Sequence, residues 1–397
     1  MKNIAIIGTG YVGLVTGAGL SEFGNKVLCA DIDQNKISQI NSGNIPIYEP
    51  GLDEIINRNI KSKRLYFVDN ISASIKSAEV IIIAVGTPQT SSGSADMQYV
   101  NSVVNSISGN LNNYKVICTK STVPVGTGQK IINVLKNRFK EGKDFCYVSN
   151  PEFLREGSAI KDFLWPDRIV IGTHSKKAYD IMCDIYRPLY INKNPIKHTT
   201  VETAEMIKYA SNSFLALKIS YINEIANLCE LVGADIHDVA SAMGQDGRIS
   251  DKFLHPGPGF GGSCFPKDLE SLVAISKENN LSMETLNAAI NANENQKIIM
   301  CHKLKKLIKN GITGKSIAIL GLSFKANTDD IRESASINII NFILKEGGIV
   351  RAHDPIANNS MSKLFSDISY FEDVYEAIDG VDALVIMTEW NEFRSLD

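Results

Sequence analysis

Short apolar runs that stop at a glycine or a small polar residue punctuate the first half of the chain. "NIAIIGTGYVGLVTGAGLSEFG" predicts a buried strand, a glycine turn and then a helix. "KVLCADID" predicts a second strand. "AEVIIIAVGTP", "YKVICTKSTVPVG" and "FCYVSNPEF" predict three more, each an apolar run ending in small or polar residues. Strands alternating with helical stretches predict a parallel, doubly wound sheet, here extending to about residue 200. The pattern then changes. "VETAEMIKYASNSFLALKISYINEIANLCELV", from Val201 to about Val232, has no Gly or Pro, and its apolar positions recur at helical spacing. It predicts a helix long enough to bridge two domains. More helical sequence follows to about Lys309. "KSIAILGLSFK", "GIVRAHDP" and "DALVIMTEW" then repeat the opening theme of strand–Gly, strand–Asp and strand–Thr.

The expected fold class is therefore α/β, with two Rossmann-like doubly wound domains joined by a long central helix and a helical middle domain. The expected boundaries are 1–200, 201–309 and 310–397. A length of 397 residues agrees with two or three domains. Hydrophobic residues make up 44% and charged residues 21%, the balance of a globular chain with a sizeable core. A net charge of −3 argues against a broad nucleic-acid-binding face. No apolar run is long enough to cross a membrane, and only four consecutive apolar residues precede the first glycine turn. The expectation is a cytoplasmic protein. The seven cysteines are odd in number and lack any CxxC pair, which fits reduced thiols and offers no zinc signature.

Gly8, Gly10 and Gly13 form GxGxxG directly between a strand and a helix, with Tyr11 and Val12 inside the motif. The first glycine permits the tight turn, the second lets a pyrophosphate approach the backbone, and the third lets helix pack on strand. The helix start supplies amide donors and partial positive charge. Asp31 ends the next strand, where a carboxylate accepts hydrogen bonds from an adenosine ribose and repels a 2′-phosphate. NAD is thus the expected cofactor, although Lys36, a cation shortly after Asp31 in the chain, weakens the preference over NADP. A strand–turn–helix without ligand is the plainer alternative. The second Rossmann-like half has Gly321 but no GxGxxG.

"GPGFGGSCFPKD" sets Cys264 among glycines that cannot build an apolar core around it. Buried cysteines are usually small hydrophobes, and that is the reading of the other six. Cys264 instead reads as an exposed thiol open to close approach by a substrate, with Lys267 able to favour the thiolate and Asp268 able to handle protons. A structural glycine loop is the competing reading. On the long helix, Lys208 and Asn212 are four residues apart and share a face. An ammonium and an amide so placed can stabilise an oxyanion, whereas an isolated helix lysine is usually solvated. Thr122 in "KSTVPVG", and Glu152 and Glu156 in "NPEFLREG", follow predicted strands, where ligands bind in such sheets. Solvated loop carboxylates are the default for the glutamates alone.

The combination of "GTGYVGL", "IYEPGL", "KSTVPVGT", "NPEFLREG", "EMIKYASNSF", "GPGFGGSCFPKD" and "LGLSFKANTDDIRES" resembles the UDP-glucose/GDP-mannose dehydrogenase family, and within it the UDP-glucose 6-dehydrogenases. The motifs cover nearly the whole chain in order. The resemblance implies two successive NAD-dependent oxidations at C6 of UDP-glucose, giving UDP-glucuronate. Cys264 would capture the aldehyde as a thiohemiacetal and carry the following thioester. Lys208 and Asn212 would stabilise oxyanions, and Asp268, Thr122 and Glu152 would handle protons and position water. Asp31, Lys36, Thr87, Thr122, Glu156, Lys267 and Arg332 would contact NAD. Glu152, Phe153, Leu154 and Arg155, then Phe253, Leu254, His255, Pro256 and Gly257, with Gly261 and Lys325, would hold the sugar nucleotide. Arg248 would reach it from a neighbouring subunit, and the long helix would form the core of a homodimer. Family chains continue past the position matching Asp397, so the third region is expected to be short. Sibling dehydrogenases of GDP-mannose or UDP-N-acetylhexosamines, a single-step dehydrogenase and a non-catalytic nucleotide-sensing module are the alternatives at this point. No metal site and no nucleic-acid or membrane partner are expected.

Overall fold

The computed structural model describes residues 1–91, 93–190 and 195–397. It divides into two compact units, Met1–Ala210 and Ser211–Asp397, and the division falls inside the long helix, which runs Val201–Val232.

The first unit is built on a sheet of eight strands among the described residues: β1 Asn3–Ile7, β2 Lys26–Ala30, β3 Leu65–Val68, β4 Val80–Ile83, β5 Lys115–Thr119, β6 Phe145–Ser149, β7 Ile169–Gly172 and β8 Ile196–Thr199. Their order is β3-β2-β1-β4-β5-β6-β7-β8. The first six positions reproduce the Rossmann order and are parallel throughout. One expectation is corrected here. The sheet is not wholly parallel, because β7 runs antiparallel to β6, meeting it only at Ser149 and Gly172. The chain enters β7 from the 152–168 segment without a full crossover helix, so no parallel return is imposed.

Burial on both faces explains the apolar runs. Ile4 and Ile6 of β1 join one core with Leu14 and Val27, while Ala5 and Ile7 join the opposite core with Ile81 and Ile83. Helix Tyr11–Glu22 lies on the first of these faces, and Gly13, Leu14, Val15 and Ala18 are buried along it.

The second unit contains the rest of the long helix, helices Ile236–Gln245, Phe265–Glu278 and Glu284–Leu307, and a second sheet. That sheet comprises β9 Ser316–Leu320, β10 Ile349–His353, β11 Ser369–Tyr370 and β12 Ala383–Ile386, in the order β11-β10-β9-β12 and parallel throughout. Ile317 and Ile319 point into one core, with Ile339 and Ile343, and Leu320 into another, with Trp390 and Phe393. No helix among the described residues is long and apolar enough to cross a membrane.

Candidate active site

In the first unit, the turn after β1 is shaped by its glycines. Gly8 has φ +103°, and a Cβ on it would lie 2.7 Å from the Ala84 carbonyl oxygen. A Cβ on Gly13 would lie 1.9 Å from the Gly8 oxygen, so only glycine lets the helix sit this close to the strand. Gly10 is different: nothing lies within 4 Å of its Cβ position. The protein does not fill that space, and a pyrophosphate over the helix start would. Asp31 sits at the end of β2. Its Oδ2 accepts from the Thr9 N–H at 2.8 Å and the Thr9 hydroxyl at 2.7 Å, and Lys36 Nζ is 3.7 Å away. Half-burial alone would raise the carboxyl, but the Thr9 and Asp33 donors and the Lys36 ammonium outweigh it and hold Asp31 below the usual carboxylate range. The open position at Gly10 and an ionised Asp31 fit NAD.

The loops after β4, β5 and β6 are stitched together. The Thr87 hydroxyl donates to the Thr122 carbonyl at 2.9 Å, and the Ser121 hydroxyl to the Val85 carbonyl at 2.6 Å. Glu152 follows β6. Its Oε1 accepts from Lys208 Nζ at 2.8 Å and its Oε2 from the Leu154 N–H at 2.5 Å. The two side chains of this ion pair are 4% and 6% exposed, so Lys208 is not the solvated helix lysine of the plainer expectation. An ion pair this dry persists because each charge compensates the other. Phe153 is capped by the Arg168 guanidinium, 3.8 Å from the ring centroid. Arg155 is exposed and bound through two guanidinium nitrogens to Asp162. Glu156 lies close enough to raise the Tyr11 hydroxyl electrostatically, although burial and the hydrogen bond to Glu49 raise it more.

Two buried groups here escaped the sequence reading. Lys120 is 5% exposed, with its Nζ 3.3 Å from Asn150 Oδ1, and burial pushes it down. It is the first residue of "KSTVPVG", so the motif contained it. Glu205, on the long helix, accepts from the Gly126 and Gly128 N–H groups at 2.7 and 2.8 Å. It thereby caps helix Thr127–Lys136 and ties the Thr122 loop to the long helix. Burial, helped by Glu202, pushes Glu205 up to about 7 against the pull of the two amides and Lys130. The folded state therefore holds a proton here that the unfolded state releases above the ordinary glutamate range. The Glu205 contribution to stability is greatest below that range and declines as pH rises to about 7. Replacing Glu205 with Gln should flatten the fall in unfolding free energy between about pH 5 and pH 7 by up to ~1.4 kcal/mol per pH unit. Urea denaturation across that window measures it, and an unchanged slope would contradict the assignment.

In the second unit, Cys264 occupies the N-cap position of helix Phe265–Glu278, with Pro266 in the first turn. It therefore sits beside the partial positive charge of the helix start. The Ser263 hydroxyl lies 3.6 Å from the sulfur, which is half-buried. One turn on, Asp268 is 1% exposed. Its Oδ2 accepts from Asn212 Nδ2 at 2.7 Å and its Oδ1 from Lys267 Nζ at 2.8 Å. None of the seven cysteines forms a disulfide.

The glycines around Cys264 do not merely keep space open. A Cβ on Gly261 would lie 2.2 Å from the Glu333 carbonyl oxygen, and one on Gly262, at φ +81°, 2.7 Å from the Phe324 ring. The Gly262 N–H also donates to the Arg332 carbonyl at 2.8 Å. Asn293 brackets Phe260 through both its N–H and its C=O. The loop is pinned, and the thiol it presents is held. Gly257 alone among these has open space at its Cβ position.

Phe253 has φ +66°, a left-handed conformation that is strained for an aromatic residue, and Leu254 is buried. Lys218 Nζ donates to the carbonyls of Ile249, Ser250 and Lys252, fixing the chain just before Phe253. His255 lines a cavity of about 310 Å³ with Ala326, Asn327, Glu389, Asn391 and Arg394. The last three were not anticipated, since each is an ordinary polar residue in a short irregular stretch. Pro256 lies between His255 and Gly257, and Lys325 places its Nζ 5.3 Å from the Phe324 ring centroid. Arg332 and Arg248 are exposed, and each pairs with the aspartate two residues before it, Asp330 and Asp246. No group of three metal-ligating side chains is found among the described residues.

These features define an NAD-dependent oxidoreductase with a cysteine at the start of a helix. The chain belongs to the UDP-glucose/GDP-mannose dehydrogenase family: it matches the family's NAD binding domain over residues 2–190, its central domain over 202–295 and its UDP binding domain over 318–397. It is 47% identical to a UDP-glucose 6-dehydrogenase of Rhizobium meliloti (strain 1021), over 99% of this chain and 91% of that protein. Its structure is similar to that of a UDP-glucose dehydrogenase from the hyperthermophilic archaeon Pyrobaculum islandicum, with a TM-score of 0.94, 36% identity and coverage of 100% and 92%. A UDP-D-ManNAc dehydrogenase from Pyrococcus horikoshii gives a TM-score of 0.87 at 28% identity, covering 99% and 91%.

Proposed function

We propose that the protein oxidises the C6 alcohol of UDP-glucose to the carboxylate of UDP-glucuronate, in two NAD-dependent steps through a covalent intermediate on Cys264. The observation that carries this reading is the thiol at the start of a helix, one turn from an aspartate clamped by an amide and an ammonium. The greater identity to UDP-glucose dehydrogenases than to the UDP-D-ManNAc enzyme supports the sugar.

NAD, when bound, would accept the hydride removed in each oxidation. Gly8, Gly10, Tyr11, Val12 and Gly13 would hold its pyrophosphate and Asp31 its ribose, with Lys36, Thr87, Thr122, Glu156, Lys267 and Arg332 completing the contacts. The C6 alcohol loses its hydroxyl proton to Asp268 and a hydride from C6, and becomes an aldehyde. The Cys264 thiolate adds to it, and the resulting oxyanion is stabilised by Asn212 and Lys208. Loss of a second hydride from C6 breaks the remaining C6–H bond and leaves a thioester. Water, positioned by Thr122 and Glu152 with Asp268 handling its proton, cleaves the C–S bond, and the thiolate leaves. Residues 152–155, the 253–257 segment, Gly261 and Lys325 would hold the sugar nucleotide, and Arg248, exposed here, would act on a neighbouring subunit's substrate. NADH release with a panel of UDP-glucose, GDP-mannose and UDP-N-acetylmannosamine tests the sugar. Faster turnover of either of the others would overturn it.

Cysteines outside any disulfide and an NAD cofactor fit a cytoplasmic enzyme, which cell fractionation would check. We also propose a homodimer. Phe214, Tyr221 and Leu228 recur every seven residues on the long helix and are 61%, 49% and 54% exposed, an apolar stripe that suits a second copy of the same helix. Sedimentation should give twice the chain mass, falling to a single chain when Phe214 and Leu228 are both replaced by Asp. A fully active monomeric parent would contradict this.

A further inference from the structure

The stretch "IYEPGL" has no role in the mechanism above. Its Glu49 is 5% exposed, although Tyr48 and Pro50 on either side are exposed. A carboxylate turned inward from a surface segment needs compensation. Glu49 finds it in two backbone amides and a phenol. Its Oε1 accepts from the Ala159 N–H at 2.7 Å. Its Oε2 accepts from the Gly157 N–H at 2.7 Å and from the Tyr11 hydroxyl. Tyr11 is the first residue of the helix after Gly10, and Gly157 ends the 152–157 segment that begins at Glu152. One carboxylate therefore ties the glycine turn to the segment whose first residue pairs with Lys208.

We propose that Glu49 is a positioning residue that couples the dinucleotide turn to the 152–157 segment, so that filling one orders the other. This rests on the reading that the turn holds NAD and that residues 152–155 hold the sugar nucleotide. A tie that both ligands tighten gives each a higher affinity in the presence of the other.

NADH and UDP-glucose form a pair that cannot react, so their mutual effect is readable by calorimetry. NADH should bind the parent protein about fivefold or more tighter with saturating UDP-glucose than without it. In Glu49→Gln, which keeps one acceptor oxygen of the two, that ratio should fall toward one while each ligand still binds alone. Tyr11→Phe removes only the hydroxyl that donates to Glu49 and should also bring the ratio toward one, whatever it does to the binding of NADH alone, and it carries the test if Glu49→Gln does not fold. The double variant should lose no more than either single one. A Glu49 with a merely structural role would lower thermal stability and leave the ratio untouched. A ratio near one in the parent, or an unchanged ratio in the variants, overturns the proposal. Failure of either ligand to bind the parent protein overturns the functional reading beneath it.

Discussion

Replacing Cys264 with alanine should lower UDP-glucuronate formation at least about a thousandfold, because in the proposed mechanism this thiol holds the aldehyde for the second oxidation. Aldehyde-level product should be released or trapped after the first. Cys264→Ser should fail differently. An alkoxide forms less readily than a thiolate and an ester is cleaved less readily than a thioester, so the serine variant should stall late with the sugar nucleotide attached. Intact-protein mass spectrometry after incubation with UDP-glucose and NAD would detect that ester. Both variants should bind NAD normally, since Gly8, Gly10, Gly13 and Asp31 are untouched. An alanine variant that makes UDP-glucuronate at the parent rate would remove Cys264 from the mechanism.

The second large effect concerns Lys208. Lys208→Met removes one partner of a dry ion pair and strands Glu152 without its charge. The expected loss of stability is about 3–5 kcal/mol, read from urea denaturation. Turnover should also fall about a hundredfold or more, from loss of an oxyanion partner. The Glu152→Gln/Lys208→Met double variant separates the two effects. With neither member of the pair charged it should recover most of the stability, yet it should remain as slow as the single variant. A double variant that regains both would make the pair structural.

Much of this architecture was legible because it depends on local pattern. The long helix runs Val201–Val232, as its uninterrupted helical spacing indicated, and the GxGxxG turn sits between β1 and a helix. The order of the strands was less accessible. β3, β7, β8 and β11 are four residues or fewer, and the antiparallel junction of β6 and β7 rests on one residue pair. Among the candidate site residues, single identities were readable and partnerships were not. Lys208 and Glu152 are 56 residues apart, as are Asn212 and Asp268, and nothing in either local stretch names the other. Glu49 and Glu205 show the same limit more sharply. In a sequence, a glutamate that caps backbone amides from inside the fold looks like any solvated one, and only packing tells them apart. The glycines around Cys264 stand out in the sequence, but Gly261 and Gly262 are required by Glu333 and Phe324, which lie more than sixty residues on.

The central claim is that one active site carries an alcohol through two oxidations without releasing the aldehyde. The most direct test is the stoichiometry of NADH produced per UDP-glucose consumed, with limiting sugar and excess NAD. Two NADH and one UDP-glucuronate should form, with no free aldehyde trapped by a hydrazine reagent. One NADH per sugar, or an aldehyde that accumulates before acid is formed, would contradict it.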